Sequence, residues 1–165
     1  MARAGSGQAT RAAGTTTAGS DRGRAAARAW ADALAEVPLF AHVSPRHIRK
    51  IAAKGTIVRS DAGSTIVGVG QAGDAFYVVL DGKGSVRRGR GRPPAPIGIG
   101  GYFGEMALLD GSPRSATVVA ETDVACLRLS RNAFLDVVRK EPSVSVAILQ
   151  ALAERIRGLE KDQAL

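Results

Sequence analysis

Apolar residues fall along the chain in three successive textures. From Trp30 to Ala52 they recur at helical spacing. Val37-Pro38-Leu39-Phe40 makes an apolar clamp, and Ile48, Ile51 and Ala52 follow three and four residues apart. Ser44 reads as an N-cap with Pro45 at the first helical position, and Gly55 as the stop. From Thr56 to Leu129 the texture is short and β-rich. Val, Ile, Thr, Phe and Tyr concentrate in runs at 56–59, 65–69, 76–81, 84–88, 97–99, 116–120 and 125–129. Turns come every 8–12 residues, and Asp81-Gly82 is a hairpin signal. After Ser130 the helical period returns. Phe134, Leu135, Val137 and Val138 follow Ser130 as cap. Val144, Ile148, Leu152, Ile156 and Leu159 then follow a fresh start at Pro142.

This order predicts a mainly β protein with flanking α-helices. An N-terminal helical segment at 29–54 leads into an antiparallel, jelly-roll-like β-roll at 55–130, and two C-terminal helices follow at 131–163. Residues 1–28 contain no Leu, Ile, Val or aromatic residue. Such a segment cannot offset its ordering entropy by burial, so it reads as a disordered tail rich in Arg, Ala and Gly, turning helical near 24–35. At 165 residues and 45% hydrophobic composition, the remainder suffices for one compact core.

Charge refines this picture without changing it. The formal net charge is +8. Residues 1–28 hold five arginines against one aspartate, residues 87–92 hold four arginines and no acid, and the rest of the chain balances. Basicity confined to a tail and a loop implies solvated segments rather than specific DNA binding. No apolar run is long enough to span a membrane, and no apolar leader opens the chain. Cys126 is the single cysteine, which excludes an internal disulfide and fits a cytoplasmic location. His42 and His47 are the only histidines, and neither falls among the β-rich runs. A metal-dependent jelly-roll enzyme of the cupin type needs several histidines on the barrel and is therefore a weak rival.

The chemistry concentrates between residues 100 and 118. Gly104 permits close backbone approach, and Glu105 is an anionic acceptor beside it. Residues 106–109 form one helical turn with free N–H groups, and Arg114, after Ser112-Pro113, offers a planar fork for a phosphate. A carboxylate beside a phosphate is tolerable only if it accepts hydroxyl hydrogen bonds. Glu105 therefore points to a sugar and Arg114 to its phosphate.

Phe103-Gly-Glu-Met-Ala-Leu-Leu109, followed by Pro113-Arg-Ser-Ala-Thr-Val118, closely resembles the phosphate-binding cassette of cyclic nucleotide-binding domains. The stretch from Gly73 to Gly82 resembles the same family's earlier strand–turn signature, and Pro38-Leu39-Phe40 its opening. The resemblance implies an eight-stranded β-roll with the cassette at 103–117. It implies that Glu105 accepts the ribose 2′-hydroxyl, that Arg114 pairs with the cyclic phosphate, and that Gly104, Met106 and Ala107 supply backbone contacts. Ser115 implies a further ligand contact, with cyclic AMP favoured and cyclic GMP open. The family resemblance implies a regulatory module with neither catalytic nor metal-binding residues. Its effector would be a separate protein, because the chain ends shortly after the last helix. That helix is expected to cap the base through Leu149, Leu152, Ile156 or Gln150, or to form a homodimer seam. The alternative of the same fold is a degenerate interaction module that has lost its ligand.

Overall fold

The computed structural model describes residues 21–163. It opens with helix α1 (Asp21–Ala35), a 3-10 turn (Pro38–Phe40) and α2 (Pro45–Ala52). Ser44 caps α2 by accepting from the His47 amide, and proline at the first position costs no hydrogen bond there. Helix α1 starts at Asp21, inside the 1–28 segment expected to be disordered and three residues ahead of the helical turn expected near 24–35. Alanine and arginine are strong helix formers, and Ala31 and Leu34 anchor the helix to the core. The expected tail at 1–20 lies outside the described residues.

Eight strands follow, broken only by one short helix. They are β1 (Thr56–Ser60), β2 (Thr65–Val67), β3 (Ala75–Asp81), β4 (Gly84–Arg87), β5 (Ala95–Ile97) and β6 (Tyr102–Phe103). Helix α3 (Glu105–Asp110) then precedes β7 (Thr117–Ala120) and β8 (Val124–Ser130). They form two antiparallel four-stranded sheets, ordered β1-β8-β3-β6 and β2-β7-β4-β5. The fold is thus the expected β-roll. Strand β5 begins two residues earlier than its apolar run, because Pro96 sits opposite Ser85 on an edge, where its missing N–H costs no ladder bond.

Strand β3 is buried on both faces, and its alternation divides the core. Phe76 and Val78 face the helices, whereas Ala75, Tyr77 and Val79 face the space between the sheets. On the helical side Phe40 meets Phe76 and Phe134 edge-on, with ring centroids 6.0 and 6.1 Å apart. Between the sheets, Val67, Phe103, Val118 and Cys126 pack against the other face.

Ser130 caps α4 (Arg131–Lys140), and Pro142 starts α5 (Pro142–Gln163). The first turns of α5 bury Val144, Ala147, Ile148 and Ala151. Ile156 and Leu159, expected to continue that packing, are 57% and 56% exposed, because the helix outruns the body that holds it. Side-chain contacts tie α5 and its approach to the N-terminal segment: His42 Nε2 lies 2.9 Å from Glu154 and His47 Nε2 3.1 Å from Glu141, which also pairs with Lys50. Neither histidine lies on a strand, and no group of three potential metal ligands occurs among the described residues. No described helix is long and apolar enough to cross a membrane.

Candidate functional site

A cavity of about 650 Å³ opens where β6, α3 and the segment before β7 converge. Gly104, Glu105, Met106, Ala107, Arg114 and Ser115, singled out from the sequence, all line it. Apolar side chains from both sheets, among them Val67, Val86, Phe103 and Val118, complete the wall.

Arg114 is the central group. It is 7% exposed, an unusual burial for a guanidinium. Its backbone is clamped to the Gly68–Gln71 turn region: its N–H donates to Gln71 O and its carbonyl accepts from Gly70 N, both at 2.8 Å. Its side chain lies over Tyr77, with the guanidinium carbon 5.5 Å from the ring centroid. Tyr77 is in turn stacked on Phe103 across the β3–β6 pair, 4.9 Å between centroids. Asp74 Oδ1 stands 3.6 Å from Arg114 Nη2, while its Oδ2 accepts from Arg128 at 3.2 Å. Asp74 thus divides its charge between two arginines and leaves Arg114 incompletely neutralised. Arg114 Nη1 is buried and has no hydrogen-bond partner among the described residues. A buried donor left unmet costs about 1–3 kcal/mol, so the site stores an unfilled preference for an anionic acceptor.

Gly104 makes this arrangement possible. It caps α3 at φ 82°, in the left-handed region. A Cβ there would collide with Arg114 Nη1 and lie 2.8 Å from Ala75 O. Glycine at this position therefore leaves the space in which the guanidinium rests.

Glu105 follows at the first turn of α3, with its side chain 18% exposed. Its Oε1 accepts from Arg155 Nη1 of α5 at 3.3 Å, and Met106 Sδ is 3.7 Å from the same nitrogen. Met106 is itself largely exposed, whereas Ala107 is buried. Ser115 sits exposed at the rim. Within the cassette, Asp110 is held below the usual carboxylate range because the Ser112 backbone N–H and then its hydroxyl donate to it.

Arg155 was not legible as a site residue. The residues expected to cap the cavity do not line it: Leu149, Gln150 and Ile156 are exposed, and Leu152 packs against the helical core instead. One signal did exist. Arg155 continues the row of Val144, Ile148 and Ala151 at spacings of four, three and four, so a charged residue prolongs the buried stripe. Arg88 was also read as part of a solvated loop, yet it lines the cavity from the end of β4 while remaining exposed.

Comparison with known proteins agrees with this geometry. A regulatory subunit of cAMP-dependent protein kinase from Aspergillus niger is 42% identical over 102 residues, covering 61% of this chain and 25% of that protein. The chain thus spans about a quarter of the length of such curated relatives. The N-terminal domain of a transcriptional regulator from Streptomyces coelicolor A3(2) superposes with a TM-score of 0.72 at 31% identity, covering 79% of this chain and 96% of that one. The regulatory domain of Toxoplasma gondii protein kinase A, crystallised with cAMP, gives 0.63 at 25% identity over 81% and 52%. The pattern of the cyclic nucleotide-binding domain matches residues 57–141, just over half of the chain, and the protein belongs to that family.

Proposed function

We propose that this chain is a regulatory module that senses a cyclic nucleotide, cyclic AMP foremost, and answers by repositioning α5. The observation that carries the reading is the buried, unpartnered Arg114 Nη1 at the wall of a cavity that also presents Glu105. A cyclic phosphate supplies the missing acceptor. The adjoining ribose supplies a 2′-hydroxyl that donates to the Glu105 carboxylate, with Gly104, Met106 and Ala107 offering backbone contacts and Ser115 a hydroxyl. The base then lies toward Arg155 and the apolar wall. A relative named for cAMP dependence and a fold neighbour crystallised with cAMP support adenine as the base.

Closure follows from the same contacts. Arg155 reaches the cassette from α5, so a ligand at Glu105 alters the free energy of one α5 position relative to others. The exposed row of Val146, Leu149, Ile156 and Leu159 gives α5 a seam on which a homodimer could form. The module has no catalysis of its own, works in the cytoplasm and acts on an effector protein.

A second reading rests on one observation. The Glu105–Arg155 ion pair already occupies the carboxylate, as it would in a member that had lost its ligand. Calorimetric titration with cyclic AMP and cyclic GMP separates the two. Saturable binding at one site per chain is expected; no heat with either nucleotide at millimolar concentration would establish the ligand-free module.

A further inference from the structure

A second cavity, of about 640 Å³, shares no residue with the first. It is a groove between α1 and α2. On α1 two parallel rows of side chains, each spaced by four residues, define it: Ala27, Ala31 and Ala35 form a floor, and Arg24, Arg28 and Asp32 form a rim. The other wall is Val43, Pro45 and Ile48, with Arg49 above them. The floor is apolar and made of small residues, whereas on the rim Arg28 and Arg49 outnumber Asp32.

We propose that this groove docks an amphipathic helix of a partner protein whose apolar stripe is flanked by Asp and Glu. The shape fits a helix. The lining runs from Arg24 to Ala35, three turns or about 17 Å of α1, and alanines let a second backbone approach to the ~8–10 Å typical of packed helices. A third helix there would complete a small bundle and cover Ala27 and Ala35, as in helix-in-groove recognition. The charge selects the flanks, because a surplus of arginine around an apolar trough favours acidic neighbours and repels basic ones.

The chain itself offers no better occupant. Residues 1–20 contain no leucine, isoleucine, valine or aromatic residue to fill an apolar trough. The exposed apolar row on α5 of a second copy is flanked by Arg155, Arg157 and Lys161 against Glu154, Glu160 and Asp162, a neutral balance without the acidic excess that the rim favours.

The test uses the full chain, isotope-labelled, and two synthetic helical peptides of about 15 residues. Both carry leucine at every third and fourth position; one has glutamates on the flanks and the other lysines. The acidic peptide should bind saturably, shift amide resonances at Ala27, Ala35, Val43 and Ile48, and bind at least tenfold tighter than the basic one. Reversing the rim with Arg28→Glu and Arg49→Glu should weaken it tenfold or more. If that double variant fails to fold, raising the salt concentration on the wild type should weaken the acidic peptide and spare a neutral one. Equal affinity for both peptides, absence of binding, or shifts confined to other surfaces would overturn the proposal. So would concentration-dependent self-association of the protein that perturbs the same groove residues, which would assign the face to a second copy.

Discussion

Arg155 Nη1 lies 3.3 Å from Glu105 Oε1, so a side chain on α5 grips the cassette carboxylate proposed to receive the ribose. The contact spans fifty positions of sequence and joins the cassette to α5, the helix proposed to move. Arg155 is about half exposed, so the pair contributes on the order of 1 kcal/mol at most. Arg155→Ala should therefore lower cyclic AMP affinity by up to about fivefold. It should also speed amide exchange in the later turns of α5. Calorimetry and hydrogen exchange read the two effects separately. A rise in affinity would reveal Arg155 as a competitor for Glu105 rather than a support.

Arg114 carries the larger share. Removing one partner of a buried charge–anion pair costs roughly 2–5 kcal/mol, or about thirty- to several thousand-fold in affinity. Arg114→Ala should nearly abolish nucleotide binding, and Arg114→Lys should weaken it, because an ammonium lacks a fork that could face Asp74 and the proposed phosphate at once. On the carboxylate side, 2′-deoxy cyclic AMP should bind wild type clearly worse than cyclic AMP, and the gap should shrink in Glu105→Gln. An Arg114→Ala protein within threefold of wild type would dismiss the phosphate role, as equal affinities for the two ligands would dismiss that of Glu105.

What was legible in the sequence follows a physical divide. Ser44 and Ser130 read correctly as caps because a cap is decided within four residues. Six strands of the β-roll read correctly because alternation and glycine turns are local too, whereas β5 was placed two residues late and the two-residue β6 was too short to leave a pattern. The structure gathers Gly104, Glu105, Met106, Ala107, Arg114 and Ser115 at one cavity because they lie close in sequence on one connection between strands. Arg155 and Arg88 did not, because their place at the cavity depends on where α5 and the β4–β5 hairpin pack. The start of α1 was missed for a related reason. Its first turns have no large apolar residue and are held by alanine propensity and by the anchor at Leu34 further on.

Cys126 should be chemically silent in the folded protein. Burial between the sheets pushes its thiol up to about 12, so almost no thiolate forms near neutrality. Labelling with a disulfide reagent at about pH 8 should be slow in buffer and fast in denaturant, since an unperturbed thiol titrates near 8.5. The raised value has a stability consequence. The folded state favours the neutral thiol, and that contribution is whole below the unfolded value and disappears as pH rises through about 12. Rapid labelling under native conditions would show that the sheets open locally at β8.

Glu141, the C-cap of α4 just before Pro142, should govern the acid side. Its carboxyl is held below the usual range, first by the hydrogen bond from Lys50, and further by His47, both on α2. A depressed carboxylate contributes stability that is present above its unfolded value and is lost as pH falls through the lower folded one. The contribution should therefore be intact at neutrality and fade below about pH 4.5, the ordinary range for glutamate. Glu141→Gln keeps the shape and removes the charge. Its melting temperature should lie below that of wild type at pH 7, and the two should converge as the pH is lowered through 4. A constant difference across that range would mean that the contribution of Glu141 comes from packing at the α4–α5 junction and not from its ion pairs with α2.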